Sequence, residues 1–195
     1  MVFLRSLAAA DGAPYIQGHG VLLRAPRVSD FEEWAELRRA SRGFLQPWEP
    51  IWPVDDLTRT AFRRRLRRYA EERRTEQAYA FFVFRASDEA LLGGLTLSNI
   101  RHGVAQCCTL GYWMGECFAG QSYMSSSVRT VLPFVFDELR LRRVEAACLP
   151  HNRSSIALLE RVGFAREGYA RQYLCINGAW QDHLLFAFLH GDTIR

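Results

Sequence analysis

The chain has 195 residues, 49% of them hydrophobic and 13% aromatic, and carries a formal net charge of +4. That length and composition suit one domain with a full core, and they exclude a disordered or low-complexity chain. All 25 basic residues are arginine, which removes Schiff-base and other lysine-centred chemistry, and no apolar run reaches the length of a membrane span.

The opening stretch MVFLRSLAAADGA is too short and too broken in its apolar character for a signal peptide, so a cytoplasmic protein is expected. VLLRAP, 21–26, reads as a strand ended by proline. SDFEEWAELRRAS follows as a helix, with Ser29 and Glu32 at capping-box spacing and Phe31, Trp34, Ala35 and Leu37 on its apolar face. GFLQPWEPIWPV holds three prolines and two tryptophans and cannot be a long helix. It is either a rigid aromatic wall or a packed connection. A helix from roughly Asp55 to Glu76 carries eight arginines between Arg59 and Arg74, with Leu57, Ala61, Phe62, Leu66, Tyr69 and Ala70 at helical spacing. It is either a solvated helix face or a surface for nucleic acid or an acidic partner.

Three strands are expected at 78–86, 90–99 and 106–114, the first two joined as a hairpin through SDE. A helix begins near Tyr123, with apolar positions from Met124 to Leu139 and a complication at Pro133, which either kinks it or sits on its exposed side. Another strand at 142–149, a short helix ending at Gly163, and two strands around YARQYLCI and DHLLFAFL complete the chain, with an Asn-Gly turn signal between the last two. This order predicts an α+β (mixed α/β) fold around a mostly antiparallel sheet, with one parallel crossover between 106 and 148. The expected organisation is an N-terminal extension over 1–19, one domain over 20–190 and a tail over 191–195.

Cys107, Cys108, Cys117, Cys148 and Cys175 form no CxxC pair and are odd in number. Buried reduced thiols are expected, not a disulfide framework or a zinc site, and no metal is assigned.

The chemistry concentrates where the third of these strands meets the next helix. GECFAGQSYMSSS crowds Gly115, Gly120 and Ser122 into a junction whose helix start offers unpaired N–H groups and a positive dipole end to an anion. Serines also cap helices without any ligand. The junction is neither a Walker A loop nor a dinucleotide fingerprint.

Four stretches together resemble the GCN5-related N-acetyltransferase (GNAT) superfamily, and within it the branch that acetylates N-terminal alanine of ribosomal proteins. AGQSYMSSS at 119–127 looks like the family's pyrophosphate loop and HNRSSIALLERVGF at 151–164 like its Asn-x-x-Ser helix. INGAWQDHLLFAFL at 176–189 is similar to the branch's closing hairpin and LQPWEP at 45–50 to its substrate-side segment. The resemblance covers about residues 20–190 and implies a GNAT-like twisted sheet flanked by helices, with acetyl-CoA as the cofactor.

By that resemblance the backbone from Gly120 through Gln121, Ser122, Tyr123, Met124 and Ser125 receives the pyrophosphate. Tyr112, Trp113 and Met114 pair with the pantetheine arm, and an N–H near Trp113 or Met114 serves the oxyanion. Asn152 is an orienting group or a local cap. Ser155 stabilises the departing thiolate or bonds only to backbone. Glu145 is either a proton acceptor for the amine or a surface carboxylate, and Asp182 and His183 are taken as supports of the hairpin or rim of the pocket. Leu45, Trp48, Trp52, Tyr173 and Trp180 flank an extended substrate.

Two positions depart from the family pattern. Ser122 replaces the second loop glycine, and Leu174 stands where some members carry a carboxylate. The implied activity is direct acetyl transfer to a primary amine, the N-terminal alanine or serine of a ribosomal or other protein. The alternatives are a small-amine or antibiotic acetyltransferase, a weakly catalytic acetyl-CoA binder, or a ribosome- or RNA-binding protein using the Arg59–Arg74 helix. A monomer or dimer is expected, with no membrane partner and no stable DNA binding.

Overall fold

The computed structural model describes residues 5–8 and 13–194. Parts of the expected N-terminal extension, 1–4 and 9–12, and residue 195 of the expected tail lie outside the described residues. One nine-stranded sheet organises the rest, in the order β1-β2-β3-β4-β5-β6-β7-β9-β8. Its strands are β1 (Arg5–Ala8), β2 (Pro14–Gly18), β3 (Val21–Arg24), β4 (Tyr79–Arg85), β5 (Leu91–Arg101), β6 (Cys107–Met114), β7 (Arg143–Cys148), β8 (Ala165–Ile176) and β9 (Ala179–Leu189). The helices are α1 (Phe31–Ala40), α2 (Arg42–Leu45), α3 (Arg59–Arg74), α4 (Tyr123–Pro133) and α5 (Arg153–Val162). Every neighbouring strand pair is antiparallel except β6 with β7. The mixed α/β fold with its single parallel crossover is therefore as the sequence predicts, while β1 and β2 extend the sheet ahead of the first expected strand.

Both faces of the sheet are covered, which is why β4 reads as the unbroken apolar run Phe81-Phe82-Val83-Phe84 with all four side chains buried. On one face α4 and α5 bring Val128, Val131, Leu132, Leu159 and Val162 against Leu110, Val144 and Ala146. On the other, Phe31 and Trp34 of α1 and Phe62 of α3 pack on Leu22, Phe82, Phe84 and Leu91.

Local chemistry sets the element ends, in two cases differently from expectation. The Ser29–Glu32 capping box does not start α1. A 3-10 turn, Val28–Asp30, precedes it, and the Asp30 carboxylate is occupied by the Arg27 N–H at 2.7 Å and the Arg24 guanidinium at 2.8 and 2.9 Å. α3 begins at Arg59 instead of Asp55 because Thr58 Oγ1 accepts from Ala61 N at 3.2 Å. Pro133 closes α4, and the chain continues as a π turn, Phe134–Glu138, with Leu139 N donating to Phe134 O at 3.0 Å. Asn177 and Gly178, at φ of 46° and 81°, form the two-residue turn between β8 and β9. Three cysteines are buried, but Cys117 and Cys175 are exposed, against the expectation for all five; none is in a disulfide.

Candidate active site

β6 and β7 are in register only over Cys107–Thr109 and Arg143–Glu145. Beyond Thr109 the two parallel strands are no longer paired, so a cleft opens toward their C-terminal ends. Gly115 N donates to Leu92 O on the β5 side at 2.8 Å. By strand alternation, the main-chain groups of Tyr112 and Met114 turn the other way, toward the cleft.

On the α5 face of the cleft, Tyr112 Oη and Ser155 Oγ are hydrogen-bonded at 2.6 Å. Burial pushes the Tyr112 hydroxyl well above its ordinary range, with the Ser155 bond partly opposing the rise, so the phenol stays protonated. Ser155 also bonds to the Cys148 thiol, whose pKa burial pushes to about 11. Asn152 caps α5, its Oδ1 accepting from Ser155 N at 3.1 Å. Capping thus fixes Ser155 in the first turn of the helix, where partial positive charge gathers.

The loop ahead of α4 meets the same face. Gly120 at φ 75° and Ser122 at φ 65° both take the left-handed conformation, and Ser122 is the residue that enters α4, with no side-chain cap. Gly120, Gln121 and Ser122 are exposed and Tyr123 half-buried, while the side chains of Met124 and Ser125 point into the core. What remains for a ligand at the helix start is main-chain N–H, and left-handed residues in such a loop arrange these into an anion-binding concavity. That donor set fits a pyrophosphate.

The opposite face carries a cluster in which the expected Trp52 and Trp113 meet an unforeseen pair, Arg38 and Glu49. Arg38 donates to both carboxylate oxygens of Glu49 at 2.7 Å, and Trp52 Nε1 donates to the same carboxylate at 2.7 Å. The Arg38 guanidinium lies over the rings of Trp52 and Trp113, at 4.0 and 4.9 Å. Trp113 lies so close to β5 that a Cβ at Gly94 would meet its Nε1 at 2.4 Å, which requires glycine there. Asn177 N donates to Glu49 O at 2.9 Å, tying the β8–β9 turn to the 42–53 segment. Trp48 approaches His151, just ahead of α5, with ring centroids 5.5 Å apart. The segment, the hairpin and the cleft mouth therefore close on one another.

Of the expected substrate-side residues, Trp48 and Trp52 meet this enclosure, while Tyr173 on β8 sets its ring 5.8 Å from that of His183. Leu45 is buried at 4% exposure and anchors the segment, while Trp180 stands 65% exposed beside the hairpin turn. Glu145 is not brought to Ser155. It pairs with Thr109 at the closed end of the cleft and is bound by Arg143 at 2.9 Å and Arg101 at 3.2 Å. Asp182 does support the hairpin, accepting from Gln172 N at 2.7 Å and from the Tyr169 hydroxyl, bonds that lower its pKa. Leu174 pairs with Gln181 and is exposed. Trp52 and Trp113 of this cluster were expected at the site and Glu49 lies within LQPWEP, but nothing in the sequence joined them to Arg38, which read as one more helix-face arginine. A separate cavity of about 320 Å³, lined in part by Arg24, Arg27, Tyr69, Arg73 and Tyr79, shares no residue with the cleft.

A gap between two parallel strands, with an anion-binding helix start at one side and paired hydroxyls at its mouth, suits a long thioester threaded edge-on between them. The class of protein so defined is a coenzyme A-dependent acyl transferase. The chain belongs to the GNAT family: the family model described as the acetyltransferase (GNAT) domain matches residues 21–165. It is 35% identical over 177 residues to a probable N-acetyltransferase, YjcK, of Bacillus subtilis, covering 91% of this chain and 98% of the relative. It is 32% identical to the ribosomal protein uS5-alanine N-acetyltransferase of Escherichia coli, over 85% of this chain and 86% of the relative. Among solved structures, Mycobacterium smegmatis RimJ in complex with CoA-disulfide superposes with a TM-score of 0.84 at 30% identity, covering 97% of this chain and 87% of that one. The ribosomal-protein-S5-alanine acetyltransferase of Vibrio fischeri gives 0.82 at 28% identity, covering 90% and 96%. The protein is an acetyl-CoA-dependent N-acetyltransferase closely related to the ribosomal-protein alanine acetyltransferases.

Proposed function

We propose that the acceptor is the α-amine of a protein N-terminus beginning with alanine or serine, on a ribosomal protein. The observation that carries this reading is the enclosure opposite the Tyr112–Ser155 pair. It is a mouth framed by Trp48, Trp52, the Arg38–Glu49 pair and the β8–β9 hairpin, which Asn177 N ties to Glu49 O at 2.9 Å. The named activities of the Escherichia coli and Vibrio fischeri relatives support the same acceptor class. Residues 20–190 are the catalytic domain in this proposal, with 1–19 as an extension and 191–195 as a tail.

The residues divide the work as follows. The N–H groups from Gly120 to Ser125 hold the pyrophosphate. Main-chain groups of Tyr112 and Met114 pair with the pantetheine arm. The Met114 N–H, on the cleft side, serves the oxyanion in preference to Trp113, whose amide turns toward β5. Asn152 holds Ser155 in place through the cap. Ser155 gives its hydroxyl proton toward the departing sulfur while Tyr112 donates into Ser155 Oγ, so two hydroxyls share the developing thiolate charge. Trp113 backs the acceptor side.

The test is mass-resolved acetylation of free and N-terminally blocked peptides that begin with alanine, serine or a bulky residue. Acetyl is expected on the free Ala and Ser peptides and absent from the blocked one. Equal acetylation of the blocked peptide would overturn the α-amine assignment, and transfer to polyamines or aminoglycosides alone would move the reading to small amines. Ribosome association through α3 belongs to this proposal through Arg63, Arg67 and Arg73, which are in no ion pair among the described residues.

A further inference from the structure

We infer, on the reading that an amine is the acceptor, that His183 takes the proton from the acceptor ammonium. The register of β7 with β9 ends at Cys148–Leu184, so His183 is the next residue, level with the open end of the cleft. Strand alternation puts it on the face of Ala147 and Leu185, opposite Cys148, Tyr112 and Ser155. Ser155 serves the leaving sulfur on one side of the cleft; His183 stands on the side from which the amine arrives.

Its proton inventory suits the task. His183 is 2% exposed, the one buried histidine among the described residues. Nδ1 lies 2.9 Å from Gln181 O. A carbonyl oxygen only accepts, so Nδ1 carries the hydrogen and the lone pair is on Nε2. Tyr173, from the bulged part of β8, sets its ring against the imidazole at 5.8 Å between centroids and fixes the ring's plane. The carboxylates that could compete on this face are committed, Glu145 to Arg101 and Arg143 and Glu49 to Arg38 and Trp52, while Asp182 falls on the other face by the same alternation and is held by Tyr169 and Gln172. The other charged groups on the strands beside it are Arg143 of β7 and Arg166, Glu167 and Arg171 of β8, with Glu167 bound by Arg143 at 3.0 Å, and Arg38 and Arg101 stand on the neighbouring elements.

The step balances without any further reactant. One ammonium proton passes to Nε2, giving imidazolium and a neutral amine. The nitrogen lone pair forms the new C–N bond at the thioester carbonyl, and the C–S bond then breaks with its electron pair on sulfur. The second nitrogen proton reaches that sulfur by way of the Ser155 and Tyr112 hydroxyls, and the imidazolium returns its proton to solvent. Net, the ammonium and acetyl-CoA give the acetamide, the free thiol and one proton.

The experiment is single-turnover acetylation of an Ala-starting peptide by the full chain from pH 5.5 to 9, with His183→Asn and His183→Gln. Asparagine keeps an N–H for Gln181 O but has no basic nitrogen, and glutamine probes the Nε2 position in the same way. Both variants are expected to lose about a hundredfold in rate at pH 7. Acetyl-CoA affinity should stay within about twofold, and the deficit should shrink as pH approaches the α-amine pKa of about 8. An unchanged pH profile would overturn the inference. So would a loss equal at every pH, a loss of acetyl-CoA binding in both variants, or a limb that moves with His151→Gln instead. A wild-type chain that acetylates no α-amine fails the underlying reading; wild-type transfer with unaltered His183 variants fails this inference alone.

Discussion

Ser122 is strained by its own side chain. At φ 65° an L-residue gives up about 1 to 2 kcal/mol against its ordinary backbone. Ser122→Gly relieves that strain and returns part of the gain through the freer unfolded chain. A melting temperature higher by about 1 to 3 °C is expected in calorimetry, with acetyl-CoA affinity unchanged or improved. A large loss of affinity would show that the hydroxyl itself holds the anion. At the cleft mouth, Ser155→Ala should lower the single-turnover rate about tenfold while acetyl-CoA binding stays near wild type. Tyr112→Phe should cost less, because Ser155 keeps its own proton to give. If Tyr112→Phe proved the more damaging, the order of donors in the pair would be reversed. Asn152 and Ser155 were legible in the sequence because three-residue spacing at a helix start is a local pattern. The bond from Tyr112 to Ser155 spans 43 positions, and nothing in a one-dimensional reading joins them.

At the scale of elements, α3 is less of a cationic surface than its composition suggests. Five of its eight arginines, Arg59, Arg64, Arg65, Arg68 and Arg74, bond to Glu32, Asp55, Asp56, Glu72 and Glu71. Much of the basic run therefore holds the α1–α3 corner and its own turns. Arg63 and Arg67, four apart and exposed on one side of the helix, are left for a polyanion. Arg63→Glu with Arg67→Glu should reduce salt-dependent association with ribosomes or RNA and leave acetylation of a free peptide within about twofold. Binding measured across a salt series checks it, and equal losses in both assays would place the helix in catalysis instead. The central strands and α4 announced themselves by apolar periodicity. β8 was foreseen only from Tyr169, because this edge strand is exposed on both faces through most of its length and shows no alternation to read. The segment with three prolines was readable as irregular, but not as the scaffold on which Glu49 meets Arg38.

The whole molecule buries groups that titrate at high pH. Cys108 is pushed up to about 12 and Cys148 to about 11, in both cases chiefly by burial, and Tyr112 is raised as well. An unfolded thiol ionises near about 8.5, so above that pH the unfolded chain releases protons that the native state retains. The stability these thiols contribute is complete below about pH 8.5. It falls as pH rises toward the folded values, by at most about 1.4 kcal/mol per pH unit for each thiol. Urea unfolding between pH 7 and 10.5 should show the decline, and Cys108→Ser with Cys148→Ala should flatten it. A flat wild-type curve would mean that the thiols ionise equally in both states.

The short β6–β7 register has a mechanical consequence. Among the described residues, the β6–β7 ladder joins β1–β6 to β7–β9 through three residue pairs, with Gln106 O accepting from Arg142 N and Arg101 reaching Glu145 at the same end, so the sheet is two panels on a narrow hinge. A donor molecule lying between the separated strand edges would act as a splint, shared by both panels. Hydrogen–deuterium exchange should then report two opening units, with amides of β7 and β9 exchanging through a cheaper opening than those of β4 and β5. Saturating acetyl-CoA should slow the cheaper unit most and draw the two toward a common value. Uniform exchange, insensitive to the ligand, would mean that α4 and α5 already lock the panels and the splint adds nothing.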